Sequence, residues 1–480
     1  VHEGTAWRTH LVTIFGDALD ATTEATLIDD GNLLGRPYRV YDGAGRLETP
    51  SYDFKGNVLT KTRTVLDDVD TEVNWEDQVG LDTESDLDTE DAADLDAAYD
   101  TSFAYDALDH VVDKTTHDGT VTAVTFDRGG RLLTVSVQLG GTGTPDVVVT
   151  DVTYDAQGRR QTIDYGNDTR TTYTYDALSK RLVQLKTVDT GASSTPFQDL
   201  TYTYDAVGNI TRIADAAHDD HYFGNAIISA TGTFKYDALY RLIEATGREK
   251  SGALAPSWQG LSPGPVPDTS EAMQQYKRTY AYDKVGNLTE MDSVLGAGWT
   301  RSYTYTSGTN QLASTTIGAN TFSNLHNARG AITEMDHLAE LFRQFDDQLR
   351  GVDINGSDDA VYHYDAGGQR VRKIVRVGAW TKETVYIDGW ELYEKRATNG
   401  GALDTAYETL NVMDDQSRVC LVETITTPAP TPPDDGVVFR YQYGNHVGTA
   451  VLELDEGANI ISYEEYFPFG ATSWHASDNT

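Results

Sequence analysis

One ten-residue unit constrains the fold of this chain more than any other feature, and a complete copy of it begins at Tyr202. Tyr202 and Tyr204 are two residues apart, so on an extended strand both rings point to the same face of a sheet. The Asp205 carboxylate can accept hydrogen bonds from nearby backbone amides and so open a turn. Gly208 can adopt the positive φ that a short hairpin loop needs, and Asn209 tolerates the same left-handed region. The unit therefore predicts one β-hairpin.

Copies of this unit recur along most of the chain. Those that keep a glycine three residues after the aspartate are Tyr41-Asp42 (Gly45), Tyr52-Asp53 (Gly56), Tyr154-Asp155 (Gly158), Tyr282-Asp283 (Gly286) and Tyr364-Asp365 (Gly368). Copies without the glycine are Tyr105-Asp106, Tyr175-Asp176 and Tyr236-Asp237, and Phe126-Asp127 and Phe345-Asp346 look like variants with phenylalanine. Many successive copies lie roughly 20 residues apart, and insertions stretch the spacing elsewhere to about 30 or more, within the range of repeat architectures. The pattern predicts an all-β array of hairpins that grows as one body, each hairpin burying its face on its neighbours.

Three stretches interrupt the repeats. Residues 67–100 form an acidic insertion, and residues 256–267 and 427–436 hold more prolines than any central strand could accommodate. We expect all three to be surface loops rather than domain boundaries. The stretch Leu338–Leu349 has the spacing of a short helix, but the phenylalanine–aspartate pair within it favours another hairpin.

The charge of the chain is strongly acidic, with 75 acidic against 37 basic residues and a net charge of −38. Such a surface repels nucleic acid phosphates and anionic membranes, so neither is an expected partner. An acidic surface chosen for one basic partner or cargo is one explanation. The acids are spread evenly and most basic residues are arginine, which favours a halophilic source in which salt screens self-repulsion.

Residues that could carry chemistry are few. Cys420 lies in an apolar strand-like run with no base beside it, which indicates a buried core residue rather than a nucleophile. The acidic run Asp82–Asp91 invites a calcium interpretation but lacks the glycine of a calcium loop, so a solvated loop is favoured, and Asp353–Asp358 is predicted to be a turn. No phosphate loop, zinc-spaced cluster or nucleophile elbow is found, and no run of about 18 apolar residues predicts a membrane span.

The last 44 residues, 437–480, differ from the repeats but again predict strands with turns, at Gly448, Gly457 and Pro468. Their two characteristic motifs contain His446 with Gly448, and Tyr466 with Pro468 and Gly470. His446 lies at a turn with no partner beside it, so a structural hydrogen bond is favoured over catalysis. The chain begins without methionine or signal peptide and ends abruptly in polar residues, from which we expect a piece of a longer polypeptide.

These motifs carry a resemblance to a known superfamily. The Tyr-Asp units resemble the YD repeats of Rhs and teneurin proteins, and the last segment resembles the Rhs-associated core region. Four parts of this chain resemble the stretches around the junction of the B and C components of insecticidal Tc toxin complexes. They are Arg36–Asn57, Tyr236–Arg248, Val412–Gln416 and Ile460–Tyr466.

The resemblance implies a β-strand shell, wound as a spiral of hairpins around a cavity with a polar lining. Residues 1–436 would form the YD-repeat shell, and residues 437–480 only the start of the core region. In such families the shell encloses a C-terminal effector polypeptide, and further shell segments and a translocation component complete the assembly. The family's self-cleaving aspartyl protease lies beyond the Pro468 motif in a region this sequence does not contain, so no aspartate inherits that role. Export as part of a larger polypeptide or complex, without a cofactor, is expected.

Two other function classes remain open from the residues alone. Exposed aromatic side chains on a β surface can stack on sugars, which would make the chain an adhesion or carbohydrate-binding protein. The candidate tryptophans are Trp258, Trp299, Trp380, Trp390 and Trp474. A glycosidase would need two carboxylates at about 5 or 9 Å, but with so many acids such a pair carries almost no information.

Overall fold

The computed structural model describes residues 9–477 apart from 20–23, 71, 76–94, 192–194, 224–225, 251–272, 296–297, 339, 345, 399 and 429–435. For residues 2–3, 6–7, 221–223, 226 and 477 it describes the backbone alone. The acidic run Asp82–Asp91, the proline-rich stretch 256–267 with Trp258, and most of the stretch 427–436 lie outside the described residues.

The described chain is almost entirely β-strand. Its strands are β1 His2–Glu3, β2 Ala6–Trp7, β3 Val12–Phe15, β4 Pro37–Asp42, β5 Gly45–Tyr52, β6 Val58–Leu66, β7 Leu95–Tyr105, β8 Val111–Thr115, β9 Val121–Phe126, β10 Leu132–Gln138, β11 Asp146–Tyr154, β12 Arg160–Tyr165, β13 Thr169–Tyr175, β14 Leu182–Asp189, β15 Pro196–Tyr204, β16 Ile210–Asp215, β17 His221–Phe223, β18 Ala226–Ile228, β19 Thr231–Tyr236, β20 Leu242–Lys250, β21 Met273–Tyr282, β22 Leu288–Ser293, β23 Trp299–Tyr305, β24 Leu312–Ile317, β25 Asn320–His326, β26 Ile332–Met335, β27 Glu340–Arg343, β28 Leu349–Asp353, β29 Asp359–Tyr364, β30 Arg370–Val377, β31 Trp380–Ile387, β32 Trp390–Ala397, β33 Leu403–Met413, β34 Arg418–Thr427, β35 Val437–Gly444, β36 Ala450–Leu454, β37 Ile460–Tyr466 and β38 Thr472–Ser477. This confirms the all-β prediction.

One short helix and two 3-10 turns are the helical elements of the described residues. Helix α1 spans Ala25–Gly31 and ends at Asn32, whose left-handed conformation (φ 54°) closes the last turn. The 3-10 turns span Gly16–Ala18 and Leu139–Gly141. The repeat pattern did not predict α1, because a helix of two turns gives too few residues for a period to emerge.

Strands pair with their neighbours in chain order, always antiparallel. The first sheet contains β3 to β26, with β16 pairing directly with β19 and β17–β18 forming a separate hairpin. The second sheet contains β27 to β38. Strand β34 pairs with β35, so the residues on either side of the second proline-rich stretch belong to one sheet.

One expectation about the interruptions needs correction, and another is confirmed. The acidic insertion is not a loop throughout, because its last six residues begin β7 and pair with β6. The stretch Leu338–Leu349 forms no helix in its described residues. It contributes β27 and the start of β28, which pair as the hairpin that the sequence favoured.

The second sheet lies against the first, and the contacts between them advance in the same direction along both. Ala366 donates its backbone amide to Asp42 (3.0 Å), and Lys61 pairs with Asp388 (2.7 Å). Further along, the contacts are Arg160 with Asp414, Asn167 with Asp455, Tyr202 with His446, Arg248 with Glu465, and Tyr276 with Phe467. A ribbon that folded straight back would show the opposite progression. This ribbon therefore curves round in a loop and comes back into contact with its own earlier strands. Strand β4 is contacted by a part of the ribbon about 25 strands later in the chain, and β20 by a part about 17 strands later.

The hydrophobic core follows this path. The largest cluster joins β9–β13 and β15 with β33–β38 and includes Val149, Ile163, Cys420 and Tyr443, all buried. A second cluster joins β6 and β7 with β30–β32 through Val65, Tyr99 and Trp390. The remaining clusters lie within neighbouring parts of the first sheet or add Phe467 of the second sheet. Among the described residues, no core cluster joins strands that face each other across the loop.

Candidate functional site

The hairpin at Asp205 shows how the repeated unit folds. The Asp205 amide donates to the Asn209 carbonyl (2.9 Å), and one carboxylate oxygen accepts the amides of Val207, Gly208 and Asn209 at 2.7 to 3.1 Å. Gly208 has φ +113°, and the pairing of β15 with β16 shifts register there. The result is a three-residue hairpin loop with a bulge that the left-handed residue closes.

Asn209 acts differently from the expectation. It does not adopt a left-handed conformation; instead its side-chain amide donates to the second Asp205 oxygen at 2.8 Å. Where the fourth position after the aspartate is arginine, as in Arg159, the guanidinium binds the carboxylate in the same place. The fourth position thus completes the carboxylate cage, which explains why asparagine and arginine alternate there.

The tyrosine before most of the motif aspartates ties one hairpin to the preceding one. The Tyr204 hydroxyl donates to the carbonyl of Leu182 (2.6 Å), the first residue of β14, which returns from the preceding turn. The same bond, always to the first residue of an earlier strand, is made by Tyr52 to Pro37, Tyr105 to Val58, Tyr154 to Leu132, Tyr236 to Ile210, Tyr282 to Leu242, Tyr364 to Leu349 and Tyr466 to Ala450. Each hydroxyl therefore satisfies a carbonyl at a point where the ladder is bulged.

Arginines strengthen this link between hairpins. Arg181 lies over the Tyr204 ring (5.5 Å to the centroid) and donates to the Asp205 carbonyl (3.1 Å). Arg241 makes the matching contacts with Tyr282 and with the Asp283 carbonyl. Cation–π stacking and a backbone hydrogen bond thus join the turn of one hairpin to the turn of the next.

Hydrogen bonding holds the turn carboxylates in the ionised form. The Arg159 backbone amide lowers the pKa of Asp155 most; desolvation opposes this shift, and the Arg159 guanidinium lowers the pKa further. At Asp205 and Asp283 desolvation opposes the shift, and hydrogen bonds from Asn209 and Asn287 outweigh it and lower the pKa.

The carboxylate-centred turn is formed at most of the sequence motifs. It is present at Asp53 with Gly56, Asp106, Asp127, Asp155 with Gly158, Asp237, Asp283 with Gly286, and Asp365 with Gly368. Asp109 and Tyr240 take the left-handed position where glycine is missing, and Lys180 does so in the turn at Asp176, which is one residue longer.

Tyr41-Asp42 is an exception, although its sequence satisfies the whole pattern. Asp42 pairs directly with Gly45 across a two-residue turn, so the three-residue loop is absent. Its carboxylate is buried and accepts both guanidinium nitrogens of Arg63 (2.8 and 3.1 Å) and the amide of Ala366. Tyr41 is fully buried against Trp75. Contacts with distant parts of the chain override the local motif here.

The copy expected at Phe345-Asp346 is also wrong in register. The turn between β27 and β28 opens at Gln344, whose amide donates to the Gln348 carbonyl, and Asp347 has the left-handed conformation. Arg343 takes the position that tyrosine has elsewhere and donates to the Ile332 carbonyl. Phe345 itself lies outside the described residues.

The last segment builds the same turn from other residues. Asn445 replaces the aspartate and accepts the amides of Val447 and Thr449, with Gly448 in the left-handed position. Phe467 opens the turn that contains Pro468 and Gly470, and its amide donates to the Ala471 carbonyl. Both turns lie where the sequence predicted them, at Gly448 and Pro468.

His446 lies one residue after Asn445, with its ring edge against Tyr202 (5.0 Å between centroids). Desolvation at this contact lowers the pKa of the imidazole, although part of the ring stays exposed. Phe467 and Phe469 contact Tyr276 and Tyr280 in the same manner. The characteristic motifs of the last segment thus form the seam between the two sheets.

The seam also depends on buried arginines that sequence reasoning missed. Arg160 (3% exposed) pairs with Asp414 and Asp415, and Arg248 (2% exposed) binds Glu465. These partners are 217 to 255 residues apart, so no local pattern indicates them. A weak signal was available, since arginine outnumbers lysine in a chain with few basic residues.

Other candidates behave as packed residues. Cys420 is fully buried, as predicted, and burial raises the pKa of its thiol. Asp353–Asp358 is a turn, as predicted, and no cluster suited to a metal ion occurs among the described residues. Trp390 is buried, Trp474 packs on Tyr463, and cations lie over the half-buried Trp299 and Trp380. None of these four offers an exposed face for a sugar.

Comparison with known proteins gives a consistent result. No protein-family model matches the chain. It is 30% identical over 469 residues to toxin subunit YenC2 and 29% identical over 381 residues to toxin subunit YenC1, both of Yersinia entomophaga. The alignment with YenC2 covers 93% of this chain and 47% of that subunit, and the alignment with YenC1 covers 75% of this chain and 38% of that subunit. The chain therefore spans about half the length of these relatives or less.

Solved structures show a similarity to the same kind of protein. The crystal structure of TcdB2-TccC3 superimposes with a TM-score of 0.86 at 28% identity, covering 99% of this chain and 23% of the other. The chain belongs to the Rhs/YD-repeat superfamily. Within it, the chain is similar to subunits of Tc toxins. The structure of the Photorhabdus luminescens Tc holotoxin pore also superimposes on this YD-repeat chain, with a TM-score of 0.85 and 99% of this chain covered.

No helix of the described part has the length and apolar character that a membrane crossing needs.

Proposed function

We propose that this YD-repeat chain is a wall segment that encloses an effector polypeptide before its delivery. The observation that carries the proposal is the path of the ribbon, which comes round on itself without a hydrophobic core across the loop. With strands about 4.8 Å apart, a loop of about 25 strands has a circumference of roughly 120 Å and a diameter of roughly 40 Å. A polypeptide helix is about 10–12 Å wide, so such a loop has room for cargo.

A polar lining is available on one face of the ribbon. Opposite the tyrosines, neighbouring strands carry pairs of hydroxyl groups at hydrogen-bond distance. The pairs are Ser51–Thr60, Thr125–Thr134, Thr153–Thr162, Thr233–Thr246 and Thr304–Ser314. Such a face offers an unfolded chain little apolar surface to bind, which suits storage and later release.

The partners in this proposal are the effector, further shell segments and a translocation component. The relatives support them, because the matched structures are of TcdB2-TccC3 and of a Tc holotoxin pore. In this role the chain acts by steric sequestration, and none of its residues takes part in a catalytic step. It is exported as part of a larger toxin complex.

Protease protection tests the proposal. The chain would be produced joined to the downstream region of its own gene, and digestion of that region would be followed over time. We expect the downstream region to resist digestion in the wild type. Arg160→Glu places a third carboxylate beside Asp414 and Asp415, so it should open the seam and expose the cargo. Arg128→Glu, on an exposed turn, is the matched control.

Encapsulation would be contradicted if the downstream region were digested as fast in the wild type as when it is produced alone. Equal digestion in Arg160→Glu and Arg128→Glu would show that the seam does not control access.

A further inference from the structure

One segment of the first sheet is held by a group of side chains from the second. The segment is residues 66–70, which starts at the end of β6. The group, called the clamp here, consists of Arg350, His363, Arg372 and Arg376, on β28, β29 and β30. Three of its bonds go to backbone carbonyls, so they fix the course of the segment whatever its side chains are.

The clamp bonds are short and cover each end of the segment. Arg372 donates to the Leu66 carbonyl, and Arg350 donates to the Asp70 carbonyl at 2.8 Å. Arg376 binds both carboxylate oxygens of Asp70 at 2.9 and 3.0 Å. Between them, His363 Nε2 lies 3.0 Å from the Val69 carbonyl.

The imidazole at the centre of the clamp is held in one protonation state. Its Nε2 must carry the proton to bond the Val69 carbonyl, so Nδ1 is unprotonated in the neutral ring. His363 is 2% exposed, and Nδ1 is buried without a hydrogen-bond partner. A second proton on Nδ1 would therefore be a buried donor with nothing to accept it.

The charges around the ring also disfavour protonation. Arg372 of β30 and Arg350 of β28 face it, opposed by Asp70 of the clamped segment. Burial lowers the pKa of His363 most, the two guanidinium groups lower it further, and the result is about 4 despite the bond to Val69.

We propose that His363 makes the clamp acid-sensitive, so that mild acid loosens residues 66–70 and with them the seam between the two turns of the ribbon. The direction follows from linkage: a histidine whose folded pKa lies below its unfolded value of about 6.5 binds more protons once the clamp opens. The clamp is fully stable above about pH 6.5 and weakens as the pH falls toward the folded pKa of about 4. The open fraction should rise by up to about tenfold per pH unit in that window, or roughly 20-fold from pH 7 to pH 5. This inference does not depend on what the shell encloses.

Hydrogen–deuterium exchange of the full chain tests this device. The protection of amides in residues 66–70, expressed relative to the intrinsic rate at each pH, should fall about 20-fold between pH 7 and pH 5. In His363→Gln the amide nitrogen can reach the same carbonyl but does not titrate, so the protection should stay constant. His326→Gln, on β25 outside the clamp, is the control and should behave as the wild type.

A constant protection in the wild type, or an equal fall in His363→Gln, would overturn the proposal. A second measurement needs no variant: deuterium exchange at the C2 carbon of each imidazole in the wild type gives the pKa of His363 directly. A value near 4 supports the clamp device, and a value near 6.5 contradicts it.

Discussion

Two hairpins of this molecule begin with the same two residues and fold differently. At Tyr204-Asp205 the carboxylate binds the amides of its own loop, and the side chain of Asn209 completes the cage. At Tyr41-Asp42 the buried carboxylate accepts one amide of its own turn, that of Ala44, and also binds Arg63 and, from the second sheet, Ala366, and the loop shrinks to two residues. The comparison teaches that the motif specifies its turn only where the aspartate has no stronger distant partner.

The largest expected difference comes from replacing each aspartate with asparagine. Asp42→Asn leaves the Arg63 guanidinium buried without a counter-charge, which should cost about 3–5 kcal/mol of unfolding free energy. Asp205→Asn should cost much less, because Asn445 already builds the same turn with an amide. Denaturant unfolding of both variants measures this difference. Equal losses would show that the two aspartates do the same work.

Gly45 should differ in the same direction from Gly158, the glycine of the regular turn at Asp155. A Cβ on Gly45 would lie 2.2 Å from the Thr64 carbonyl oxygen at φ +126°, so Gly45→Ala should cost about 2–4 kcal/mol from clash and backbone strain. Gly158 has φ +79° and open space around it, so Gly158→Ala should cost about 1–2 kcal/mol from the backbone alone. Thermal unfolding compares them, and Gly158→Asn should recover part of the loss, as asparagine tolerates this region. A smaller loss for Gly45→Ala than for Gly158→Ala would refute the tight-turn geometry at Asp42.

The link between hairpins should be weaker than either turn. Tyr204→Phe removes the hydroxyl bond to the Leu182 carbonyl and should lower the unfolding free energy by about 0.5–1.5 kcal/mol. Tyr236→Phe removes the matching bond to Ile210 and should give a similar loss. No change in either variant would show that water replaces the hydroxyl at no cost.

Acid should destabilise the turns and the seam in different pH ranges. The turn aspartates, such as Asp155, have a lowered pKa, so their stabilising contribution is complete above the unfolded value of about 3.9 and is lost as the pH falls below it. The seam at His363 should weaken earlier, between about pH 6.5 and 4. Circular dichroism following strand content should therefore change mainly below about pH 4. Strand loss that is complete by pH 5 would contradict this order.

Salt should raise the thermal stability of the whole molecule modestly. With a net charge of −38, self-repulsion is screened at high ionic strength, so unfolding in molar salt should require more heat than in dilute buffer. Equal midpoints in both would remove the halophile interpretation.

Much of the wall could be predicted from sequence, because the hairpin unit is local. Tyrosine, aspartate and the residue with positive φ lie within five positions, and their physical roles can be read without a fold. The seam could not be predicted in the same way. Whether Arg160 meets Asp414 depends on how far the ribbon curves over many strands, and that curvature is the sum of small twists that no single repeat displays. The exception at Asp42 has the same origin, since Ala366 reaches it only after the ribbon has come round.

The central claim is that the ribbon encloses a space. Electron cryomicroscopy of the chain, produced together with the flanking regions of its own gene, tests it most directly. The account predicts a closed hollow particle with internal density that disappears when the downstream region is deleted. A solid particle or an open rod, with no interior volume, would contradict it.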